Sequence, residues 1–148
     1  MRALIQRVTS GFVTIEGKHV AEISSGMVVL LGIKKDDTPA AAHYLAERTA
    51  KLRIFNDEAD VMNKNIIESG GAALVVSQFT LYADTRKGNK PSYTDAAPPE
   101  EALPLYEEYV ATLRKLITAE KVQTGVFRAM MQIHIVNDGP VTVMLESK

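Results

Sequence analysis

Two short polar tracts contain the groups of this chain that are best suited to chemistry. The first, Ser77-Gln78-Phe79-Thr80, lies at the end of a valine-rich run from Ala72 to Leu81 that is typical of a buried strand. Because strand side chains alternate between faces, we expect Gln78 and Thr80 to share one face. Hydroxyls and an amide at the end of a buried strand either form internal hydrogen bonds or line a pocket.

The Thr80 hydroxyl is a candidate nucleophile for attack on a carbonyl carbon, which would form an acyl-enzyme. Threonine is a weak nucleophile without a base, and the sequence shows no base beside it. The histidines at 19, 43 and 134 are scattered and lack metal-ligand spacing, and a strand histidine such as His134 is more often a surface or core residue. The chain has no cysteine, which excludes thiolate catalysis and disulfides. No metal site and no cofactor are expected.

The second tract is Asn137-Asp138-Gly139-Pro140-Val141-Thr142. Asp-Gly is the favoured pair of a tight hairpin turn, here between predicted strands at 127–136 and 141–146. The proline that follows restricts the glycine, removes one backbone donor and permits a cis peptide bond. A hairpin turn is therefore the simplest interpretation of the tract taken alone.

Together, the two tracts resemble the D-aminoacyl-tRNA deacylase family. The fingerprint of that family is a Ser-Gln-Phe-Thr-Leu strand end with an Asn-x-Gly-Pro-Val-Thr turn, and both are present here without substitution. The resemblance covers essentially the whole chain. Three further stretches agree with it: Ala3–Val8, Arg53–Phe55 and Gln123–Gly125.

The resemblance implies specific roles for the second tract. It implies that the Gly139-Pro140 bond is cis and that this turn reaches into the active site of a partner subunit, which makes the functional enzyme a homodimer. By the same analogy, Arg7 holds the inserted turn in place through its backbone, whereas the sequence alone suggests a surface charge. A stiff Gly-Pro backbone facing the substrate Cα would clash with an L side chain and admit D-amino acids and glycine.

The implied reaction is hydrolysis of the ester between a D-amino acid, or wrongly attached glycine, and the 3′-end of tRNA, as an editing step. We expect backbone N–H groups at Phe79 and Thr80 to stabilise the oxyanion. Gln78 and Thr80 would then position the substrate, with Ser77 beside them, while the terminal ribose 2′-hydroxyl orients or activates water. Two alternatives stay open: a non-catalytic dimeric module that binds RNA ends, and a general esterase that uses Thr80 covalently.

One long irregular segment, 84–97, is a candidate for contact with tRNA. Long loops in compact domains are disproportionately functional. Arg86, Lys87 and Lys90 accompany Tyr93 in this segment, which makes a basic patch with an aromatic side chain. The net charge of the chain is only −1, so any contact with nucleic acid must come from such a local patch. A solvated surface loop is the equally simple alternative.

The composition and the order of elements predict one domain spanning residues 1–148. Strands with two interposed helices indicate an α+β fold, in which a mainly antiparallel, barrel-like sheet carries two helices packed outside it. The first helix is predicted from Pro39 to about Leu52. The second opens near Pro98 and contains Pro104, which either kinks it or delays its start. The N-terminus lacks an apolar signal segment, which predicts a cytosolic protein without membrane attachment.

Overall fold

A long strand, β1 (Arg2–Ile15), carries most of the pairing in the computed structural model, which describes residues 1–148. One edge of β1 pairs antiparallel with β3 (Gly26–Gly32) through its first half and with β2 (Lys18–Ile23) through its second. The other edge pairs antiparallel with β8 (Gln132–Glu146) along nearly the whole strand. From β3 the sheet continues through two parallel strands, β6 (Ala72–Ser77) and β7 (Val122–Thr124).

Three helices and a small hairpin complete the structure. The helices are α1 (Pro39–Ala50), α2 (Ile66–Ser69) and α3 (Pro99–Ile117), and the hairpin joins β4 (Phe55–Asn56) to β5 (Met62–Lys64). The Thr38 hydroxyl caps α1 by accepting a hydrogen bond from the Ala41 N–H at 3.2 Å. None of the helices combines the length and apolarity needed to cross a bilayer.

The predicted α+β, barrel-like fold is confirmed, with one helix more than the two expected. The sheet curls so far that β2 lies against β6 and β7 without hydrogen bonding to them. The additional helix is the single turn α2, in which Asn65 and Glu68 form a reciprocal capping box and Gly70 ends the turn with a left-handed backbone, φ 71°. A single turn has too short a periodic pattern for the sequence to predict this helix.

Two hydrophobic clusters lie on opposite faces of the curled sheet. The larger packs α1 and α3 against one face, where Ile5, Val29 and Val75 are fully buried. The smaller fills the inside of the curl. Apolar side chains alternate toward the two clusters along β3 and β6, so both faces of these two strands are apolar, as predicted for the run that begins at Ala72.

The strand predicted from Ala72 to Leu81 is wrong at its far end. Strand β6 ends at Ser77, and Phe79–Tyr82 form a 3₁₀ turn. The neighbouring strand β3 ends at Gly32, so the Gln78 N–H makes the last backbone hydrogen bond with it, to the Leu31 carbonyl at 2.8 Å. Beyond Gln78 there is no partner strand, and the chain satisfies its backbone locally instead.

The hairpin turn predicted at Asn137–Pro140 is also wrong. The residues on both sides of it belong to one strand, β8, and pair with the same partner, β1. Gln6 lies opposite Thr142 while Val8 lies opposite Asn137, so the residues between them bulge out of the ladder. Asp-Gly suits a bulge as well as a hairpin, and only the partner strand decides between the two.

Two smaller predictions need correction and one question is answered. The strand predicted from Phe127 begins only at Gln132, since residues 126–129 form a turn closed by the Ala129 N–H and the Val126 carbonyl at 3.1 Å. The first helix ends at Ala50 rather than Leu52. Helix α3 begins at Pro99 and runs through Pro104, so that proline does not delay its start.

A buried hydroxyl pair between α1 and α3 gives a stability prediction. The Tyr109 hydroxyl, fully buried, donates to the Thr49 hydroxyl at 2.8 Å, and Thr49 in turn donates to the Leu45 carbonyl at 2.9 Å. Tyr109→Phe should lower the free energy of unfolding by about 1 kcal/mol, because Thr49 keeps its other partner. Tyr109→Ala should cost about 4 kcal/mol because it leaves a large cavity. Urea unfolding measures both, and equal losses would contradict the packing described.

Candidate active site

The Ser77–Thr80 tract marks the point where a buried strand becomes an exposed turn. Ser77 and Gln78 are partly buried, whereas Phe79 and Thr80 are exposed. The Gln78 side-chain amide donates to the Thr80 hydroxyl, so these two side chains meet as predicted, although a turn rather than a strand face brings them together. The first N–H groups of a helical turn have no intrahelical acceptor, and no side chain caps this one. The N–H groups of Phe79 and Thr80 therefore have no acceptor within their own turn.

The rest of the protein holds this turn tightly from behind. Gly32 lies so close that a Cβ added to it would be 3.0 Å from the Leu81 Cβ and 3.2 Å from the Gln78 carbonyl oxygen. The Arg2 guanidinium donates to the Leu81 carbonyl at 2.9 Å and lies over the Tyr82 ring, 4.7 Å from its centroid. Burial raises the pKa of the Tyr82 phenol, so the ring stays neutral beneath the cation.

No general base accompanies the Thr80 hydroxyl. Its hydrogen-bond partner is the Gln78 amide, which cannot accept a proton. His43 contacts Glu108 on the outside of the helices, and His19 and His134 stack on either side of Phe12, with ring centroids 4.5 and 4.0 Å away. The histidines thus lie elsewhere, as the sequence suggested, and the geometry favours a positioning role for Thr80 over a nucleophilic one.

Two cavities open on either side of the tract. One of about 450 Å³ extends toward the start of α3, and its walls are mainly apolar. The other, of about 310 Å³, extends toward the start of β8. The two cavities share four lining residues: Ser77, Gln78, Phe79 and Arg128.

Arg128 is the site residue that the sequence did not reveal. It stands in a stretch predicted to be strand, where an arginine would be an ordinary exposed residue. Its place at the cavities comes from the turn before β8, and the position of that turn depends on tertiary contacts. No sequence motif marks it.

The irregular segment 84–97 reaches the tract through its aromatic residue rather than its basic ones. The Tyr93 ring meets the Phe79 ring edge-on, with centroids 5.1 Å apart, and both rings line the larger cavity. Arg86 pairs with Asp84 through two hydrogen bonds, and this contact lowers the pKa of the Asp84 carboxyl to about 2. Lys87 and Lys90 are exposed and line neither cavity.

The bulge in β8 presents Gly139 and Pro140 at the surface. The bond between them is cis, and Gly139 has a φ of 115°, a conformation that L side chains rarely adopt. A Cβ on Gly139 would also lie 2.8 Å from the Val141 Cγ2. The Asn137 amide closes the neck of the bulge by donating to the Arg7 carbonyl at 2.9 Å and to the Val141 carbonyl at 3.1 Å. Asn137 thus replaces the ladder bonds that the bulge removes.

Arg7 is a buried residue that braces the same bulge. It is 8% exposed, so the surface charge suggested by sequence alone is wrong. The guanidinium Nη1 donates to the Ile54 carbonyl at 2.7 Å and to the Asn56 side-chain oxygen at 3.1 Å. Its Nε lies 3.0 Å from an Asp138 carboxylate oxygen, an ion-pair contact without hydrogen-bond alignment. Arg7 therefore ties the bulge of its own chain to the β4–β5 hairpin.

Within one chain, the bulge and the Ser77–Thr80 tract lie at opposite ends of the sheet. Arg2 pairs with Gly32 beside the tract, whereas Arg7 pairs with Met27 at the other end of β3. The intervening stretch of β1 corresponds to ~17 Å of extended strand. Neither cavity includes Gly139 or Pro140. The two tracts that carry the resemblance therefore do not meet within a single chain.

Comparison with known proteins identifies close relatives over the full length. The family model for D-Tyr-tRNA(Tyr) deacylase matches residues 4–146. A D-aminoacyl-tRNA deacylase of Heliobacterium modesticaldum is 55% identical over 148 residues, covering 100% of this chain and 97% of that protein. A D-aminoacyl-tRNA deacylase of Thermomicrobium roseum is 52% identical over 147 residues, covering 99% of this chain and 94% of the relative.

Two solved structures also superpose on this chain over nearly its full length. A protein described as c-Myc DNA unwinding element binding protein superposes with a TM-score of 0.96 at 41% identity, covering 100% of this chain and 99% of the other. A probable eukaryotic D-amino acid tRNA deacylase shares the fold, with a TM-score of 0.82 at 16% identity over 98% of each chain. By its sequence, this chain belongs to the D-aminoacyl-tRNA deacylase family, whose members are hydrolases that act on ester bonds.

Proposed function

We propose that this protein hydrolyses the ester bond of D-aminoacyl-tRNA and releases the free amino acid and tRNA. Family membership and the names of the full-length relatives support the reaction and its substrate. The N–H groups of Phe79 and Thr80, which have no acceptor within their turn, are proposed as the donors that ester hydrolysis needs. Glycine wrongly attached to a tRNA is a proposed second substrate, because it has no side chain to exclude.

The separation of the two tracts is the observation that supports a two-chain active site. A chirality filter must touch the substrate Cα, yet the Gly139-Pro140 bulge lies ~17 Å along the sheet from the Ser77–Thr80 tract of its own chain. A homodimer with two-fold symmetry can bring the bulge of one chain to the tract of the other, and does so twice. The proposed enzyme is such a dimer.

The exposed edge of β8 supports the same assembly. This 15-residue strand pairs only with β1, so its other edge leaves a long row of unpaired backbone groups. Large apolar side chains of β8 are exposed as well: Val136 is 56% exposed and Met144 is 44% exposed. Long apolar edge strands are unusual in monomers unless something covers them. A second copy of the chain is the proposed cover.

The proposed chemistry relies on backbone donors rather than on a catalytic side chain. Water attacks the ester carbonyl carbon, and negative charge develops on the carbonyl oxygen. The N–H groups of Phe79 and Thr80 would stabilise that oxygen, each by about 3 kcal/mol. The Gln78 amide and the Thr80 hydroxyl, which are hydrogen-bonded to each other, position the terminal ribose. The ribose 2′-hydroxyl orients or activates the water, since no protein base lies beside Thr80.

Selection between D- and L-amino acids follows from the stiffness of the bulge. Arg7 and Asn137 hold it from both sides, so its backbone cannot move aside for a side chain. An L side chain at the substrate Cα would collide with the bulge, whereas a D side chain would point away from it. Because the side chain itself is not bound, many D-amino acids are accepted.

The chirality of the reaction is the first test of this function. Purified protein incubated with D- and L-tyrosyl-tRNA should release D-tyrosine rapidly and spare the L ester, because only the L side chain meets the bulge. Glycyl-tRNA should also be hydrolysed. Release of labelled amino acid over time gives the measurement. Tight tRNA binding without release would indicate a binding module instead, and equal cleavage of both tyrosyl esters would contradict the filter.

Replacement of Thr80 tests the proposed chemistry. Thr80→Ala should retain turnover within about tenfold of the wild type, because it removes one positioning hydrogen bond and no nucleophile. Thr80→Ser, which keeps a hydroxyl, is the matched control, and its turnover should lie between those of the wild type and Thr80→Ala. Single-turnover hydrolysis of D-tyrosyl-tRNA gives the rates. Complete loss in Thr80→Ala with activity kept in Thr80→Ser, or a trapped acyl-enzyme, would indicate covalent catalysis.

A further inference from the structure

Arg128 differs from every other arginine of the chain because its guanidinium has no partner within the protein. The remaining arginines all donate hydrogen bonds to carboxylates, carbonyls or hydroxyls: Arg2, Arg7, Arg48, Arg53, Arg86 and Arg114. Arg128 makes no hydrogen bond or ion pair and is exposed. A guanidinium carries five N–H donors in a planar fork, and here all of them are available to a ligand.

The fold places Arg128 directly at the candidate site. It lines both cavities that flank the Ser77–Phe79 tract, so its side chain adjoins the place where the ester must lie. Its backbone has a φ of 65°, an uncommon conformation for a residue other than glycine. A backbone held in a sparsely populated region costs free energy, and such residues cluster at ligand sites.

We propose that Arg128 binds the phosphodiester that precedes the terminal nucleoside of the tRNA. This assignment rests on the proposed function, which puts the ester of the terminal ribose at the Phe79 and Thr80 N–H groups. The phosphodiester lies only one sugar away from that ester. Arg128 lines both cavities beside the tract, so it adjoins the proposed phosphodiester position in either of them. A free guanidinium fork pairs with two phosphate oxygens at once, which no neutral side chain can match.

The other basic residues near the site do not offer the same contact. Arg86 already makes two hydrogen bonds with Asp84, and Lys87 and Lys90 line neither cavity. The net charge of −1 provides no general attraction for a polyanion. Arg128 is therefore the cation that distinguishes a polynucleotide 3′-end from a free nucleoside ester.

The test compares two substrates that differ in that phosphate. One is D-tyrosyl-tRNA, and the other is D-tyrosyl-adenosine, which carries the same ester and no phosphodiester. Arg128→Gln should lower kcat/KM for the tRNA about tenfold, through KM with kcat unchanged, and leave the adenosine ester unaffected. The dependence of log kcat/KM on log salt concentration should become shallower by about one ion. Arg128→Lys should restore part of the loss.

Arg48→Gln is the matched control, since Arg48 is an exposed arginine on α1 that bonds Tyr44. It should leave both substrates unchanged, and thermal melting and size-exclusion chromatography should show all variants folded and of wild-type size. An equal loss on both substrates, no loss on either, or a changed assembly would overturn the role of Arg128. A wild-type protein that hydrolyses neither ester would instead overturn the proposed function, and this assignment with it.

Discussion

The pairing of β1 with three other strands fixes how far apart the Ser77–Thr80 tract and the Gly139-Pro140 bulge lie. Its first half pairs with β3 on one edge and β8 on the other, so the bulge in β8 stays beside Arg7. The same pairing places Arg2 at the opposite end, where it supports the turn that follows Ser77. A rigid sheet cannot bring these two places together, because hydrogen-bonded strands do not shorten. The single-chain structure therefore requires a second chain if both tracts of the family's fingerprint are to act on one substrate.

The bulge and the turn differ in how their backbone groups are bonded, and each arrangement suits the proposed task. The bulge is braced by side chains from its own strand and from its neighbour, through Asn137 and Arg7. Such bracing provides the stiffness that steric exclusion needs. The turn instead leaves its first N–H groups without intrahelical acceptors or a side-chain cap, which suits the proposed binding of a developing oxyanion. Rigid backbone thus takes the place of reactive side chains in both halves of the proposed site.

The sequence predicts the fold and the identity of both tracts, but not their local shape. Buried strands and capped helices are signalled by nearby residues, such as the valines of β6 and Thr38 before α1. The end of β6 and the nature of the bulge depend on partners far along the chain. Gln78 leaves the strand because β3 ends, and Asp138-Gly139 bulges because β1 lies opposite both flanks.

The surroundings of Arg7 and Arg128 likewise depend on residues far along the chain and cannot be predicted from their sequence neighbours. Arg7 looks like a surface charge until the β4–β5 hairpin and Asp138 surround it. Arg128 looks like part of a strand until a turn carries it to the cavities. The prediction that Arg7 supports the turn came from the family resemblance and not from the residues around Arg7 in the sequence. Arg128 lies outside the fingerprint, and only the structure brings it to notice.

Subunit complementation tests the two-chain site most directly. Phe79→Pro removes one proposed oxyanion donor at a position where proline fits the start of a turn. Gly139→Ala distorts the bulge of an otherwise intact chain, since the added Cβ meets Val141. Phe79→Pro alone should be nearly inactive on both tyrosyl esters, whereas Gly139→Ala alone should hydrolyse D- and L-tyrosyl-tRNA, because its tract is intact and its filter is distorted. In a mixture exchanged at equal amounts, a two-chain site predicts L-tyrosyl-tRNA hydrolysis at about a quarter of the Gly139→Ala rate, because the intact tract of each mixed dimer receives an intact bulge. L-tyrosyl-tRNA hydrolysis at about half of the Gly139→Ala rate, despite formation of mixed dimers, would contradict the two-chain site, because each tract would then work with the bulge of its own chain.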